Sequence, residues 1–121
     1  MKKLIKSILI TLKAIFGLEL SVQPEIKVNK EFIGDHNAGW TVCPDELNSK
    51  SIVYAFGIGE NISFDLGMIE RFNCNIYAFD PTPKSLKWLQ KQETPNNFSN
   101  FDFGIADQDG TITFHAPANP G

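Results

Sequence analysis

The stretch that most constrains the fold is residues 51–80, where two apolar runs flank an amphipathic segment. The first run, "SIVYAFGIG", is continuously apolar and closes on glycines, as is typical of a strand buried on both faces of a parallel sheet. The middle segment, "NISFDLGMIERF", repeats apolar residues at helical spacing behind Asn61 as N-cap, and "CNIYAFD" forms the second run. The unit has the length of one strand–helix–strand crossover, so we predict a parallel α/β sheet.

The sequence after this unit continues the alternation of strands and helices. "PTPKSLKWLQKQ" predicts a second helix, with Thr82 as N-cap and Pro83 at the first helical position. "FSNFDFGIA" predicts a third strand, and "TITFHA", after the turn "DQDG", predicts a hairpin partner or a further strand. Residues 51–121 therefore predict a Rossmann-like sheet. We expect this sheet to be incomplete, because two covered faces require more strands.

Residues 1–20 predict an amphipathic N-terminal helix that ends at Gly17. Lys6 and Lys13 interrupt its apolar run, so the segment is too short and too charged to span a bilayer. Two interpretations remain open for residues 2–17. The helix packs on its own domain or on a partner, or it lies on an anionic membrane surface.

Residues 21–50 predict an irregular lead-in, with a short strand near residues 26–28. Pro44 is expected to begin a short helical turn. Trp40 is expected either to plug the edge of the domain or to stack against a ligand. Cys43 and Cys74 have no disulfide or metal-site spacing, which indicates free thiols in a reducing cytoplasm and no metal site.

Charge narrows the classes of partner. The net charge of −3 and the isoelectric point near 5.3 leave no basic stripe to neutralise phosphates, so nucleic acid is excluded as a main partner. The expected location is cytoplasmic, or peripheral to the inner face of a membrane if residues 2–17 bind lipid.

Three residues of the crossover suggest a nucleoside site. Gly57 and Gly59 end the first strand, where the chain turns sharply and a ligand can approach without meeting a Cβ atom. Asp80 ends the second strand twenty-three residues after Gly57, and Pro81 holds it extended. An acid there is placed to accept both hydroxyls of a ribose. The alternative is structural, since such glycines occur at many turns and strand-end acids often cap the next helix.

The residues before the first crossover helix bear on which nucleoside fits. A pyrophosphate requires bare amides at a helix N-terminus, whereas Glu60 and Asn61 stand there and the third glycine of the dinucleotide motif is missing. S-Adenosylmethionine carries no phosphate and offers a positive sulfonium and an ammonium, which suit a carboxylate at the rim. The alternative for Glu60 is a solvated acid that stabilises the helix dipole.

The segments "GWTVCPDELN", "GIGENISFD", "AFDPTP" and "FGIADQDGTITF" together resemble FkbM-family methyltransferases, over roughly residues 39–117. The resemblance implies the class I S-adenosylmethionine-dependent methyltransferase fold, of which the chain would hold the N-terminal half. It also implies that the glycine turn cradles the methionine part of the cofactor, that the strand-end acid holds the ribose and that Asp107 lies near the adenine. The expected cofactor-binding residues are Phe56, Gly57, Gly59, Glu60, Asn61, Asp80, Pro81 and Asp107.

Two departures qualify this expectation. The third glycine position of the motif holds Asn61. The acid that class I enzymes often carry two residues before the first glycine is Ala55 here, so contact with the cofactor ammonium would fall to Glu60. No catalytic base can be assigned. The resemblance implies methyl transfer to an oxygen of a small molecule or glycan. The alternatives are a non-catalytic nucleoside-binding or interaction remnant of the fold and, third, an NAD-dependent oxidoreductase.

Overall fold

The computed structural model describes residues 2–17, 26–113 and 115. Within these ranges the chain forms three helices and five strands, in alternating order from β3 onward. Their bounds are α1 Lys2–Ile15, β1 Glu31–Ile33, β2 Trp40–Val42, β3 Ile52–Phe56, α2 Ser63–Phe72, β4 Asn75–Phe79, α3 Pro83–Leu89 and β5 Phe98–Phe101.

The three later strands form one parallel sheet in the order β3-β4-β5. α2 connects β3 to β4, and α3 connects β4 to β5. The register places Val53, Ile76 and Phe98 side by side across the sheet. An α/β fold with a parallel sheet is therefore confirmed, and β3 is an edge strand of that sheet among the described elements.

The core lies on one face of this sheet. Ile76 and Ala78 of β4 are fully buried, and α2 contributes buried side chains such as Met68 and Phe72. Cys74 at the start of this strand is also fully buried and unpaired, whereas Cys43 is exposed. This packing explains the helical periodicity read from the sequence, because the apolar side of α2 covers the apolar residues of β4.

The opposite face of the sheet carries a ladder of aromatic rings. Phe56, Phe79 and Phe101 are neighbours in the register, with ring centroids 5.4 Å and 4.9 Å apart. Tyr54 and Tyr77 form the adjacent row, 5.8 Å apart. Tyr54 and Phe56 remain more than half exposed. The prediction that β3 is buried on both faces is therefore wrong for the described residues, since only one face is covered.

The lead-in contains a β-hairpin that the sequence did not predict. β1 and β2 pair antiparallel, with Ile33 opposite Trp40, whereas residues 26–28 form no strand. The hairpin packs closely on α2, because a Cβ atom on Gly67 would lie 2.6 Å from the Ile33 side chain. Pro44 begins a short turn, closed by the Leu47 N–H donating to its carbonyl at 3.1 Å.

The chain after β5 is less regular than predicted. The third strand ends at Phe101 instead of continuing to residue 106, and residues 102–113 form neither helix nor strand. The strand predicted over "TITFHA" is thus absent from residues 111–113. The rest of that prediction, apart from His115, which is in no helix or strand, lies outside the described residues.

The N-terminal helix ends as predicted. α1 stops at Ile15, and Gly17 follows with a φ of +66°, in the left-handed region that glycine adopts without strain. Several of its large apolar side chains face solvent, including Ile8 (53% exposed) and Ile15 (71% exposed). No described helix is both long enough and apolar enough to cross a bilayer.

Candidate functional site

The turn after β3 leaves open space beside two glycines. Gly57 and Gly59 have φ angles of +77° and +61°, which favour glycine over any other residue. A Cβ atom on either one would meet no atom within 4 Å among the described residues. The Gly57 N–H donates to the Phe79 carbonyl at 2.9 Å and so fixes the start of the turn on β4. The turn is anchored at Gly57 and uncovered at both glycines, as a ligand-binding turn requires.

Asp80 fastens this turn to the next helix. Its Oδ2 accepts a hydrogen bond from the Gly59 N–H at 2.9 Å, and its Oδ1 accepts from the Thr82 N–H at 2.9 Å and from the Thr82 hydroxyl. Burial by itself would raise the pKa of Asp80. The hydrogen bonds from Thr82, Gly59 and Ser85 outweigh that effect and hold the pKa below its usual range. Asp80 therefore holds the residue before α3, whereas the N-cap position itself belongs to Thr82.

Thr82 and Pro83 take the positions predicted for them at the start of α3. Thr82 is the N-cap and Pro83 lies in the first turn. The Thr82 hydroxyl bonds the Asp80 carboxylate and lies 3.0 Å from the Ser85 hydroxyl instead of capping a helical N–H. Asp80 is 4% exposed, so few of its acceptor positions remain for a ribose.

Glu60 is paired on the surface rather than directed at an empty site. Its Oε2 lies 2.7 Å from the Lys84 Nζ, and both side chains are well exposed. An exposed pair of this kind contributes about 0–1 kcal/mol and leaves little net charge at the rim. Glu60 paired in this way would repel a phosphate only weakly, contrary to the expectation from the sequence.

Asn61 ties α2 to the hairpin loop. Its Oδ1 accepts from the Ser63 N–H at 2.9 Å, and its Nδ2 donates to Asp35 at 2.8 Å. The N-cap position belongs to Ile62, so the predicted cap was placed one residue early, although Asn61 still satisfies a helical N–H. The hydrogen bond from Asn61, followed by those from the Ala38 and Asn37 N–H groups, lowers the pKa of Asp35.

A cavity of about 560 Å³ opens beside the exposed edge strand β3, and we call it the edge cavity. Ligand cavities are typically about 300–1,000 Å³. Three predicted site residues line it, namely Phe56, Gly57 and Asn61. Trp40 lines it as well and is 68% exposed, so this residue does not plug the domain edge.

A second cavity of about 380 Å³, which we call the loop cavity, lies between Pro81 and residues 102–112. Asp107 is among its lining residues. The edge cavity includes residues just after β3, and the loop cavity includes residues just after β4 and β5. Ligands of α/β folds bind at this edge of the sheet, where the carboxyl ends of the parallel strands lie. Gly59, Glu60 and Asp80 line neither cavity, although Gly59 and Glu60 stand between Ile58 and Asn61, which both line the edge cavity.

Asp65 is the site residue that sequence reasoning missed. It lies in the first turn of α2, is 5% exposed and lines the edge cavity. Its Oδ1 has no hydrogen-bond partner among the described residues. Burial raises the pKa of Asp65 to about 6. The available signal was its place on the apolar side of α2, three residues after Ile62 and four before Ile69.

Comparison with protein-family models, with curated proteins and with solved structures finds no match to this chain. The resemblance to FkbM-family methyltransferases therefore stays a prediction. Among the described residues, no group of three or more His, Cys, Asp or Glu side chains is arranged to hold a metal ion.

Proposed function

We propose that the chain binds S-adenosylmethionine and acts as an S-adenosylmethionine-dependent methyltransferase, of the class I kind that its sequence resembles. The observation that carries the proposal is the uncovered turn at Gly57 and Gly59, fastened to Asp80 at the carboxyl edge of a parallel sheet. The sheet places this turn at the edge where α/β folds bind nucleosides, and Asp80 holds the turn in place there.

The side chains around the edge cavity fit a cation. The cavity has one acidic side chain among its described lining residues, Asp65, and no basic one, while Trp40, Tyr54 and Phe56 supply aromatic surface. Aromatic faces attract organic cations. A pyrophosphate would be repelled by a buried carboxylate, and this disfavours the NAD-dependent alternative.

The proposal gives each cavity one part of the ligand. The edge cavity would hold the positively charged amino-acid part, and the loop cavity, lined by Pro81 and Asp107, would hold the adenine part. The cofactor supplies a methyl group on a positively charged sulfur. The residues named here bind and orient the donor, which is where proximity contributes to such a reaction. By resemblance, the acceptor is an oxygen of a small molecule or glycan.

Calorimetric titration of the whole chain with S-adenosylhomocysteine and, separately, with NADH tests this proposal. We expect saturable binding of the first ligand and at least about tenfold weaker binding of the second, because a diphosphate must approach Asp65. Tighter binding of NADH would favour the oxidoreductase. No binding of either ligand would favour the non-catalytic remnant.

A second candidate function concerns α1. Residues 2–17 contain four lysines and no acid, although the chain as a whole is acidic. The apolar side chains of Ile8 and Leu12 are about half exposed on the same helix. An amphipathic helix with lysines and exposed aliphatic side chains fits an anionic lipid surface. We therefore propose peripheral membrane contact through α1.

Co-sedimentation with vesicles tests this contact. We expect binding to vesicles that contain phosphatidylserine, weaker binding to pure phosphatidylcholine, and loss of binding in Leu12→Glu. Ile26→Glu is the matched control, since Ile26 is 77% exposed and lies outside the helix. Equal loss in both variants, or no binding by the unaltered chain, would rule out the contact.

A further inference from the structure

We infer that the Asp65 carboxylate is the counter-ion for the α-ammonium group of the bound ligand. The inference rests on the proposed function, because it assigns the amino-acid part of an S-adenosyl ligand to the edge cavity. It moves the expected ammonium contact from Glu60, before α2, to a residue inside that helix.

Asp65 is buried, and one of its carboxylate oxygens lacks a hydrogen-bond donor among the described residues. A buried carboxylate oxygen without a donor costs free energy, so nearly all such groups in folded proteins are hydrogen-bonded. The Asp65 Oδ1 has no such donor among the described residues, although the side chain lines a cavity large enough for a ligand. A cation entering that cavity would offset the charge of the carboxylate, whose Oδ1 is shielded from solvent in the ligand-free protein.

The surroundings of this carboxylate also favour a bound cation. Asp65 lies in the first turn of α2, where the helix dipole favours a negative charge. The exposed Trp40 and Tyr54 rings line the same cavity and can contact a cation through their faces. No lysine or arginine lines the cavity among the described residues, so the chain itself supplies no counter-ion there.

The other acids of the candidate site are paired within the chain or lie elsewhere. Glu60 is bonded to Lys84, and both oxygens of Asp80 accept hydrogen bonds from the chain. Asp107 is exposed and lines the loop cavity instead. Within the described residues, Asp65 is therefore the carboxylate that lines the edge cavity.

A cycle with two proteins and two ligands tests the assignment. The proteins are the unaltered chain and Asp65→Asn, and the ligands are S-adenosylhomocysteine and its deamino analogue, in which hydrogen replaces the α-ammonium group. We expect the unaltered chain to bind S-adenosylhomocysteine about tenfold or more tightly than the deamino analogue. In Asp65→Asn this preference should disappear, while affinity for the deamino analogue stays within about twofold.

The control is Glu70→Gln, which removes one acid from the exposed side of the same helix. It should keep the full preference for the ammonium-bearing ligand. Thermal unfolding without ligand establishes that each variant is folded. If Asp65→Asn does not fold, the preference of the unaltered chain decides, since equal affinity for the two ligands means that no ammonium contact exists.

Each remaining outcome is also decisive. If the unaltered chain binds S-adenosylhomocysteine and Asp65→Asn keeps the preference, or loses affinity for both ligands equally, the Asp65 assignment is wrong and the proposed function stands. If the unaltered chain binds neither ligand, the proposed function and the assignment fall together.

Discussion

The two buried acids at the carboxyl edge of the sheet are used in opposite ways. Asp80 follows β4, accepts hydrogen bonds at both oxygens and has a lowered pKa. Asp65 lies in α2, leaves one oxygen without a partner and has a pKa raised to about 6. Both side chains are about equally shielded from solvent, so burial alone does not separate them.

The difference distinguishes a carboxylate whose hydrogen bonds are supplied by the chain from one that is left available to a ligand. Hydrogen-bond donors supplied by the chain make a buried carboxylate part of the fold, as at Asp80. A buried carboxylate without such donors destabilises the free protein and can recover that cost when a ligand supplies the donor. Asp65 is such a carboxylate, and on this basis we propose it as the binding acid.

The largest expected effect is at Asp80. Asp80→Ala removes the acceptors of the Gly59 N–H and the Thr82 N–H and hydroxyl, so we expect the free energy of unfolding to fall by about 3 kcal/mol. Urea unfolding at about pH 7 measures it. Asp102→Ala is the matched control, since Asp102 follows β5 as Asp80 follows β4 but is exposed. Equal losses would contradict the fastening role.

Asp80 also predicts a pH dependence. Its folded-state pKa is below the usual 3.8, so its stabilisation is complete above pH 3.8. That stabilisation is lost as the pH falls through the lower folded-state pKa. The difference in stability between the unaltered chain and Asp80→Ala should therefore shrink in strong acid. A difference that is constant with pH would mean that the charge of Asp80 contributes nothing.

The second-largest expected effect, at Asp65, is a gain in the free energy of unfolding. Asp65→Asn removes a buried charge, so we expect it to stabilise the ligand-free protein at about pH 8 by about 1–2 kcal/mol after allowance for solvent screening. The folded-state pKa of about 6 exceeds the usual 3.8, so the stability of the unaltered chain should decline as pH rises between these values. Urea titrations at several pH values measure both effects. Destabilisation by Asp65→Asn at pH 8 would mean that the carboxylate has a structural partner.

A smaller loss is expected at the turn itself. Gly59→Ala places a side chain at a φ of +61°, which costs about 1 kcal/mol although nothing stands within 4 Å of the added carbon. Gly110→Ala is the control, because its surroundings are equally open and its φ lies outside the left-handed region. Thermal unfolding compares the two variants. Equal stability would show that the turn relaxes without strain.

The smallest effect is expected at Glu60. Glu60→Gln breaks an exposed pair with Lys84, so the free energy of unfolding should change by less than about 0.5 kcal/mol. Affinity for S-adenosylhomocysteine should change by less than about twofold, in contrast to Asp65→Asn. Calorimetric titration measures it. A large loss of affinity would return the cationic contact to Glu60.

The sequence predicted the elements whose periodicity is strong and local. β3, α2 and β4 lie where the apolar runs and the helical repeat placed them, and Gly57 and Gly59 turn as expected. The hairpin could not be read, because its strands are three residues long and depend on close contact with α2 at Gly67. Such tertiary contacts leave little local pattern.

The candidate site was predicted in position and only partly in chemistry. The turn and Asp80 were found because spacing along a crossover is a sequence property. The pairing of Glu60 with Lys84 joins residues from two different elements, so spacing alone did not reveal it. Asp65 was overlooked because an acid in a first helical turn usually needs no further explanation. Only its burial distinguishes it.

The position of Trp40 has a practical consequence. This indole is largely in water beside the edge cavity, whereas Trp88, the other tryptophan of the chain, packs against the core. A molecule entering the cavity would change the solvation of one indole and leave the other as it was. Fluorescence of a Trp88→Phe variant, excited selectively at tryptophan, would then report occupancy through one indole without any attached dye.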